Sequence, residues 1–322
     1  MTLELGYQGN VKVENMKKFQ IVFAGYGPEH TSFSKSLKIM GNKIVKQFPD
    51  LVDVQYVYNV MDLGYKSEDI LWMTDQGILT VTYQSTSYLT DDVPELGFVD
   101  LPFLFRDNAH ARSAMDGKLG QYLTNKIEDR KNYKILGYLE NGFRQISNSS
   151  HMIKKPDDMK GMKIRVLPSE VHSRFFELLG ALPMRMDLTQ AISDIQNGAL
   201  DAQENPYTNT TTYGVHQYHK YHTVSNHFYI SRAIMCNRTQ FYNWPEQLKQ
   251  AIIASAEEAI HWQRNQIETD VKEAEKLILD AAGQIHSLTV EETTLFKEKI
   301  APLYNDAREQ FGDIPFNLLE NN

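Results

Sequence analysis

Short apolar runs alternate with helical patterns along the first third of the chain, and this alternation is what most limits its fold. Phe19–Gly25 (FQIVFAG) has the character of a buried strand ending in glycine. A helical pattern follows from Thr31, with Phe33, Leu37, Met40, Ile44 and Val45 at helical spacing, and stops before Pro49. Val52–Val60 is a second strand. Ser67–Gly77 is a helix, with Ser67 as its N-cap and Gly77 just past its end, and Ile78–Tyr83 is a third strand. Strand–helix–strand–helix–strand is the rhythm of an α/β domain with a mostly parallel sheet. Ligands of such sheets lie beyond the carboxyl ends of the strands. That places Tyr26, Tyr58 and the segment 83–86 near any site.

A second such rhythm begins near residue 141. Gly142–Asn148 and Met162–Pro168 read as strands, Ser169–Ala181 and Asp187–Gly198 as helices, and Ala199–Pro206 as a strand and turn. Asn108–Arg130 forms one helix ahead of it, and Tyr221–Asn237 is strand-like throughout. A single uninterrupted helical pattern runs from Pro245 to about Ala282. At roughly 1.5 Å per residue this exceeds about 50 Å, more than one small domain spans, so the helix should cross two. Thr289 and Glu292 form a capping box for a last helix, to about Phe311. A length of 322 residues suits two domains.

Several classes are excluded. Lysine and arginine total 33 against 41 acids, a net charge of −8, which does not suit a general nucleic-acid binder. No run approaches the ~20 apolar residues of a membrane span. With one cysteine, Cys236, there is no intrachain disulfide and no cysteine-based metal site. GYGPEH (25–30) lacks the third glycine of a dinucleotide loop and reads as a tight turn. His216, His219 and His222 would drift by about 60° per step on a helix, so they read as a solvated segment rather than a metal site. No cofactor or metal is called for, and no nucleophile–base motif marks an enzyme.

Two arginines stand out. Arg144 in GFRQ and Arg165 in KIRV each lie among apolar strand residues, where an unpaired guanidinium is costly to bury. Each is either half of a salt bridge or a planar fork for a ligand carboxylate. Glu204–Thr211 (ENPYTNTT) gathers amides, hydroxyls and a phenol in what reads as a polar turn.

At these residues the sequence resembles a known family. GFRQISN, then IKKPDDMKGMKIRVLPSEVHSRFFELLGALPMRM, then LTQAISDIQNGALDAQENP is similar to the signature region of the DctP-type substrate-binding proteins of TRAP transporters. The resemblance implies an α/β, two-domain periplasmic-binding-protein-like fold with a hinge, an interdomain ligand cleft and a long helix spanning both domains. Domain I would comprise 19–141 with 231–270, and domain II 142–230 with 271–322, after an N-terminal extension of 1–18. It implies a receptor for a small organic acid anion that delivers its ligand to the small and large permease subunits, without entering the membrane itself. Residence is then periplasmic, with a signal peptide removed. By the same resemblance Arg165 clamps the ligand carboxylate, Arg144 lies near that carboxylate, and Asn205 hydrogen-bonds the ligand. Tyr26 and His30 come from the turn after the first strand, and Tyr83, Ser85 and Thr86 from the segment after the third.

Two departures bear on the ligand. Sialic-acid-type members carry a glutamate where this chain has Tyr83-Gln84-Ser85-Thr86, and many members read S-E-V-Y where it has Thr189-Gln190-Ala191-Ile192. With Tyr26, Tyr58, Tyr83, Tyr88, Phe143, Tyr207 and Phe228 near the pocket by alignment or strand-end position, an acid with an apolar or aromatic body is expected over a sugar acid. A sulfonate or sugar acid, a sensor-partner role and a cleft enzyme are the alternatives.

Overall fold

The computed structural model describes residues 18–320. The expected extension therefore lies, except for Lys18, outside the described residues. In chain order the elements are β1 (Phe19–Ala24), α1 (Ser32–Gln47), β2 (Val52–Val57), α2 (Asp69–Asp75), β3 (Val81–Ser85), α3 (Asn108–Asp116), α4 (Lys118–Arg130) and β4 (Tyr133–Phe143). Then come β5 (Gln145–Asn148), β6 (Lys163–Val166), α5 (Glu170–Leu178), β7 (Leu182–Arg185), α6 (Leu188–Gln196), β8 (Ala202–Asn205), α7 (Tyr207–Thr212) and β9 (Tyr221–Val224). The chain ends with β10 (Tyr229–Asn237), α8 (Arg238–Asn243), α9 (Glu246–Asp280), β11 (Gln284–Ser287), α10 (Val290–Lys299), α11 (Ala301–Phe311) and α12 (Ile314–Glu320).

These strands form two sheets, ordered β2-β1-β3-β10-β4 and β11-β9-β5-β8-β6-β7. Helical crossovers make β2, β1 and β3 parallel, as they do β8, β6 and β7. β10 returns from the second sheet and enters the first antiparallel to both β3 and β4. The chain passes between the sheets at 143–145 and again at 225–228, where Arg144 N donates to Phe228 O at 2.9 Å. Gln145 clips the two crossings together: its Oε1 accepts from Ser225 N and Asn226 N, at 2.9 and 3.0 Å. Asn226, at φ 45°, and Gly142, at φ 87°, supply the left-handed backbone there.

α1 buries Phe33, Leu37, Met40 and Ile44 along one stripe and is capped by the Thr31 hydroxyl. α9 is the third crossing. Its 35 residues extend about 52 Å. Gln263 exchanges hydrogen bonds with the Glu140 backbone of β4, at 3.0 and 2.8 Å, while Ala274 and Ile278 pack on Tyr207 of α7. One helix thus serves both sheets, as its length requires.

Several local expectations are corrected. Ser67 is not the N-cap of α2, a place taken by Glu68. Its hydroxyl instead donates to Asp187 Oδ1 at 2.6 Å, from the first sheet's side to α6 of the second. Gly117 divides the single helix expected over 108–130. The strand-like run 221–237 is two strands in different sheets. Pro302 starts a new helix after α10, and α12 follows Phe311. α12 packs against α4, and its Phe316 meets Phe98 edge-on at 4.8 Å, so the C-terminus returns to the first sheet's side.

Candidate functional site

In β6 Ile164 and Val166 go into the core, and Arg165, though 1% exposed, points away from it. Its Nε and Nη2 donate to the Met186 carbonyl at 3.1 and 3.0 Å, and Nη2 to the Tyr88 hydroxyl at 3.0 Å. All of these partners are neutral oxygens, and among the described residues no carboxylate pairs with it. β8 sets Gln203 beside Arg165. From there a chain of amides runs outward. Asn205 Nδ2 donates to Gln203 Oε1 at 3.1 Å, and Asn209 Nδ2 to Asn205 Oδ1 at 3.1 Å.

The chain ends at a second buried guanidinium. Arg232 of β10 donates from Nη2 to Asn209 Oδ1 at 3.2 Å. Its guanidinium carbon lies 3.7 Å from the Phe33 ring centre, 4.7 Å from Tyr26 and 5.5 Å from Tyr83. The Tyr213 hydroxyl, beside it, donates to the Tyr26 carbonyl at 3.2 Å. Arg232 borders a cavity of about 370 Å³ with Gly27, His30, Asn209 and Tyr213. Arg165 is not among its walls.

The turn after β1 is shaped by Tyr83. A Cβ on Gly25 would come 2.5 Å from Tyr83 Cε1, so only glycine lets the ring pack there. This is the reason for the glycine in GYGPEH, and Pro28 and Thr31 then lead directly into α1.

Beneath the site lies a buried cluster. Both Nε and Nη2 of Arg144 engage the Glu204 carboxylate, the latter at 2.9 Å from Oε1, and both residues are fully buried. Burial works against the Glu204 carboxylate, but the Arg144 guanidinium and the His227 ring outweigh it and hold its pKa down to about 2. Nearby, Ser87 donates to Asp100 Oδ1 at 2.7 Å, with His172 Nε2 3.6 Å away. Burial pushes Asp100 up to about 7, against the Ser169 and Ser87 hydroxyls and Arg144. Burial lowers His172 to about 3, so it is neutral.

A pH effect follows with a definite sign. Between the ordinary aspartate pKa of 3.8 and about 7 the folded chain keeps a proton that the unfolded chain has lost. The stability this group contributes is complete below the lower value and is lost as pH rises through the upper one. Asp100→Asn is therefore expected to melt higher than wild type at pH 8, by on the order of a few kcal/mol of stability, and to differ little at pH 4. Thermal melts of both proteins at the two pH values check this, and an equal difference at both would overturn it.

The expected site residues divide into groups. Tyr26, Tyr83, Ser85 and Thr86 gather round Arg232. Ser85 is its cross-strand neighbour, and Thr86 Oγ1 donates to Ser231 O at 3.3 Å. Asn205 joins the amide chain, and His30 stands exposed on the cavity rim. Phe143 and Tyr207 meet elsewhere, in a cavity of about 240 Å³ with Gln145, Asn226 and Ile267. Arg144 faces Glu204 rather than either cavity. Of the other expected aromatics, Tyr88 binds Arg165, Tyr58 stacks on Tyr56, and Phe228 lies in the core against His172. The ENPYTNTT segment continues as α7 rather than a turn. His219 and His222 are buried rather than solvated, with Ser147 Oγ 2.9 Å from His219 Nδ1. No group of residues suited to a metal occurs among the described residues, and no described helix is long and apolar enough to cross a membrane. Arg232, Asn209 and Tyr213 were not expected. Arg232 in YISRAIM is, like Arg144 and Arg165, an arginine inside an apolar strand.

Two α/β sheets, a connecting long helix and a polar cleft with uncompensated cations define a two-domain solute-binding protein. The family model for bacterial extracellular solute-binding proteins, family 7 (DctP), matches residues 28–310, and the chain belongs to that family. It is a TRAP-type substrate-binding protein, of a family of binding proteins rather than enzymes. A solute-binding protein of Verminephrobacter eiseniae (strain EF01-2) is 32% identical over 260 residues, 80% of this chain and 76% of its own length. The 2,3-diketo-L-gulonate-binding periplasmic protein YiaO of Escherichia coli (strain K12) is 34% identical over 177 residues, 55% of this chain and 54% of that protein. Among solved structures, the sugar acid binding protein DctPAm from Advenella mimigardefordensis strain DPN7T, in complex with galactonate, superimposes with a TM-score of 0.89. It is 26% identical, and the match covers 95% of this chain and 98% of that one.

Proposed function

We propose that the chain is the extracytoplasmic receptor of a TRAP transporter, that it holds a small organic acid anion in the cleft between the sheets, and that it hands this ligand to the membrane permease subunits. Arg165 carries the reading. It is a buried guanidinium whose partners are all neutral, set beside the amides of Gln203 and Asn205. A carboxylate replacing the Tyr88 hydroxyl would take two parallel N–H bonds, the strongest pairing available to it. In this reading the domains are 19–141 with 229–270, and 142–228 with 271–311, while α12 packs back on the first domain. The second crossing then falls at 225–228, a few residues ahead of the boundary expected from sequence. The hinge is the Gln145 clip together with α9. Ligand docks on Arg165 and favours closure through contacts that only the closed form makes.

The test is a thermal-shift screen of small organic anions that includes galactonate, 2,3-diketo-L-gulonate, succinate and aromatic acids. A true ligand at 100 times its dissociation constant adds about 2.7 kcal/mol, a rise of a few degrees for domains of this size. The bound acid should return chemically unchanged from denatured protein. A chain that none of these acids stabilises, or that converts its ligand, would refute the reading.

A further inference from the structure

The cavity of about 240 Å³ that holds Phe143 and Tyr207 lies at the hinge. Each of the three crossings between the sheets supplies a wall: Phe143 and Gln145 from the first, Asn226 from the second, Ile267 and Glu275 of α9 from the third. Tyr207, the first residue of α7, adds a fourth side. The cavity is distinct from the one bordered by Arg232, and Arg165 does not line it. Its volume is far above the ~10–15 Å³ that a single water needs.

Its chemistry is one-sided. No arginine, lysine or histidine lines it, and its one charged group is the Glu275 carboxylate. That side chain is half-buried and forms no ion pair or hydrogen bond with another described residue. Tyr207 is 5% exposed, and its hydroxyl is buried without a hydrogen-bond partner. Burial first, and then the nearby Glu275 charge, push the phenol's pKa up, so it stays protonated within reach of that carboxylate's field. Asn108 Oδ1, on the same lining, is also buried and unpartnered. Buried polar atoms are normally satisfied, by the protein or by something bound. Here an unpaired carboxylate and two oxygens with free acceptor capacity border one cavity, beside two aromatic rings.

We propose that this hinge cavity binds a small primary ammonium ion, with its charge on Glu275, its other N–H donors for the buried acceptors and its alkyl part against Phe143 and Ile267, and that the occupant favours closure of the cleft. Glu275 repels an anion, and a neutral molecule leaves the carboxylate unpaired. A quaternary ammonium gains the rings but has no N–H to give. This conformation is the closed one: from the first sheet's side Tyr88 reaches Arg165 and Ser67 reaches Asp187. Walls drawn from all three crossings cannot keep their spacing when the sheets rotate, so an occupant fitted to this shape stabilises it. Coupling of this kind is reciprocal, so an acid that closes the cleft tightens the cation in turn. That last step rests on the receptor reading; the cation site and its effect on closure do not.

The experiment uses the whole chain without any acid, so its outcome is independent of the receptor reading. Ethyl-, n-propyl- and n-butylammonium chloride are titrated at constant ionic strength, with sodium chloride, tetramethylammonium chloride and 1-butanol as controls. Melting is followed for wild type, Glu275→Gln and Tyr207→Phe, and the radius of gyration of wild type is measured by small-angle scattering. At least one primary ammonium should raise the wild-type midpoint by about 2 °C or more, where the three controls do not. Glu275→Gln should weaken that response on the order of tenfold, and Tyr207→Phe by less. Without any amine, both variants should melt within about 2 °C of wild type, because neither side chain has a polar partner to lose. The radius of gyration should fall as the amine saturates. Amines that act no better than sodium chloride would overturn the proposal, as would a response that survives Glu275→Gln. Equal stabilisation by 1-butanol would also overturn it, since the cavity would then be merely apolar. Binding without compaction would strike the coupling to closure. Loss of the amine response together with collapse of the amine-free melt in both variants would mark Glu275 and Tyr207 as structural and end the proposal.

Discussion

Arg165→Ala is expected to cost 2–5 kcal/mol of affinity for the preferred acid, on the order of 30-fold to a few thousandfold, while the protein stays folded. The first part rests on geometry. Arg165 lies in β6, held by the Met186 carbonyl and ready to exchange the Tyr88 hydroxyl for a carboxylate. Removing it leaves a ligand carboxylate desolvated and unmet. The second part rests on charge. In the ligand-free chain this cation has no carboxylate partner, so deleting it strands no buried anion and should change the thermal midpoint little. Arg165→Lys should also bind poorly, because an ammonium cannot present two parallel donors. Calorimetric affinities and thermal midpoints for the three proteins separate the two effects. An Arg165→Ala protein that binds within threefold of wild type would dismiss the clamp.

Arg144→Met is expected to behave in the opposite way. Arg144 and Glu204 are mutually engaged at zero or near-zero exposure, and the Glu204 carboxylate is ionised there because of that guanidinium. Breaking such a pair typically costs 3–5 kcal/mol, since the remaining charge is buried alone. For a chain of this length that is on the order of ten degrees in melting temperature. Ligand affinity should fall far less than it does for Arg165→Ala. Adding Glu204→Gln to Arg144→Met should recover much of the lost stability, because no uncompensated carboxylate then remains. Unchanged stability with lost affinity would instead make Arg144 a ligand group, as the family resemblance implies.

The contrast between these arginines shows where sequence reasoning reaches and where it stops. β1, α1 and the Thr289 capping box were legible because local chemistry decides them: an apolar run, a 3.6-residue stripe, a hydroxyl three residues from a glutamate. The long helix was legible from length alone. Ser67 was not, since its hydroxyl fits an N-cap equally well, and only the approach of Asp187, 120 residues away, redirects it. The division of 221–237 between two sheets was hidden because both halves are strand-like, and the left-handed Asn226 that separates them is not a glycine. At the site, an arginine in an apolar strand announces a buried guanidinium but not its partner. Arg144 finds Glu204, Arg165 finds Tyr88, and Arg232 finds rings, by pairings that no spacing encodes. Aromatic content misleads in the same way. Phe228 and Tyr58 lie close to the strand ends in sequence, yet their rings pack away from the cleft.

α9 has a mechanical consequence. Its 35 residues contain neither proline nor glycine, the usual points of sharp bending. One end is bonded to β4 of the first sheet through Gln263, and the other is packed on Tyr207 and Ile285 beside the second. Rotation of one sheet against the other therefore has to be taken up as a shallow curvature shared over many turns. The rod acts as a leaf spring clamped at both ends, with a restoring torque that grows smoothly with the angle. An element of this kind sets a preferred opening angle and returns the cleft to it each time a ligand leaves.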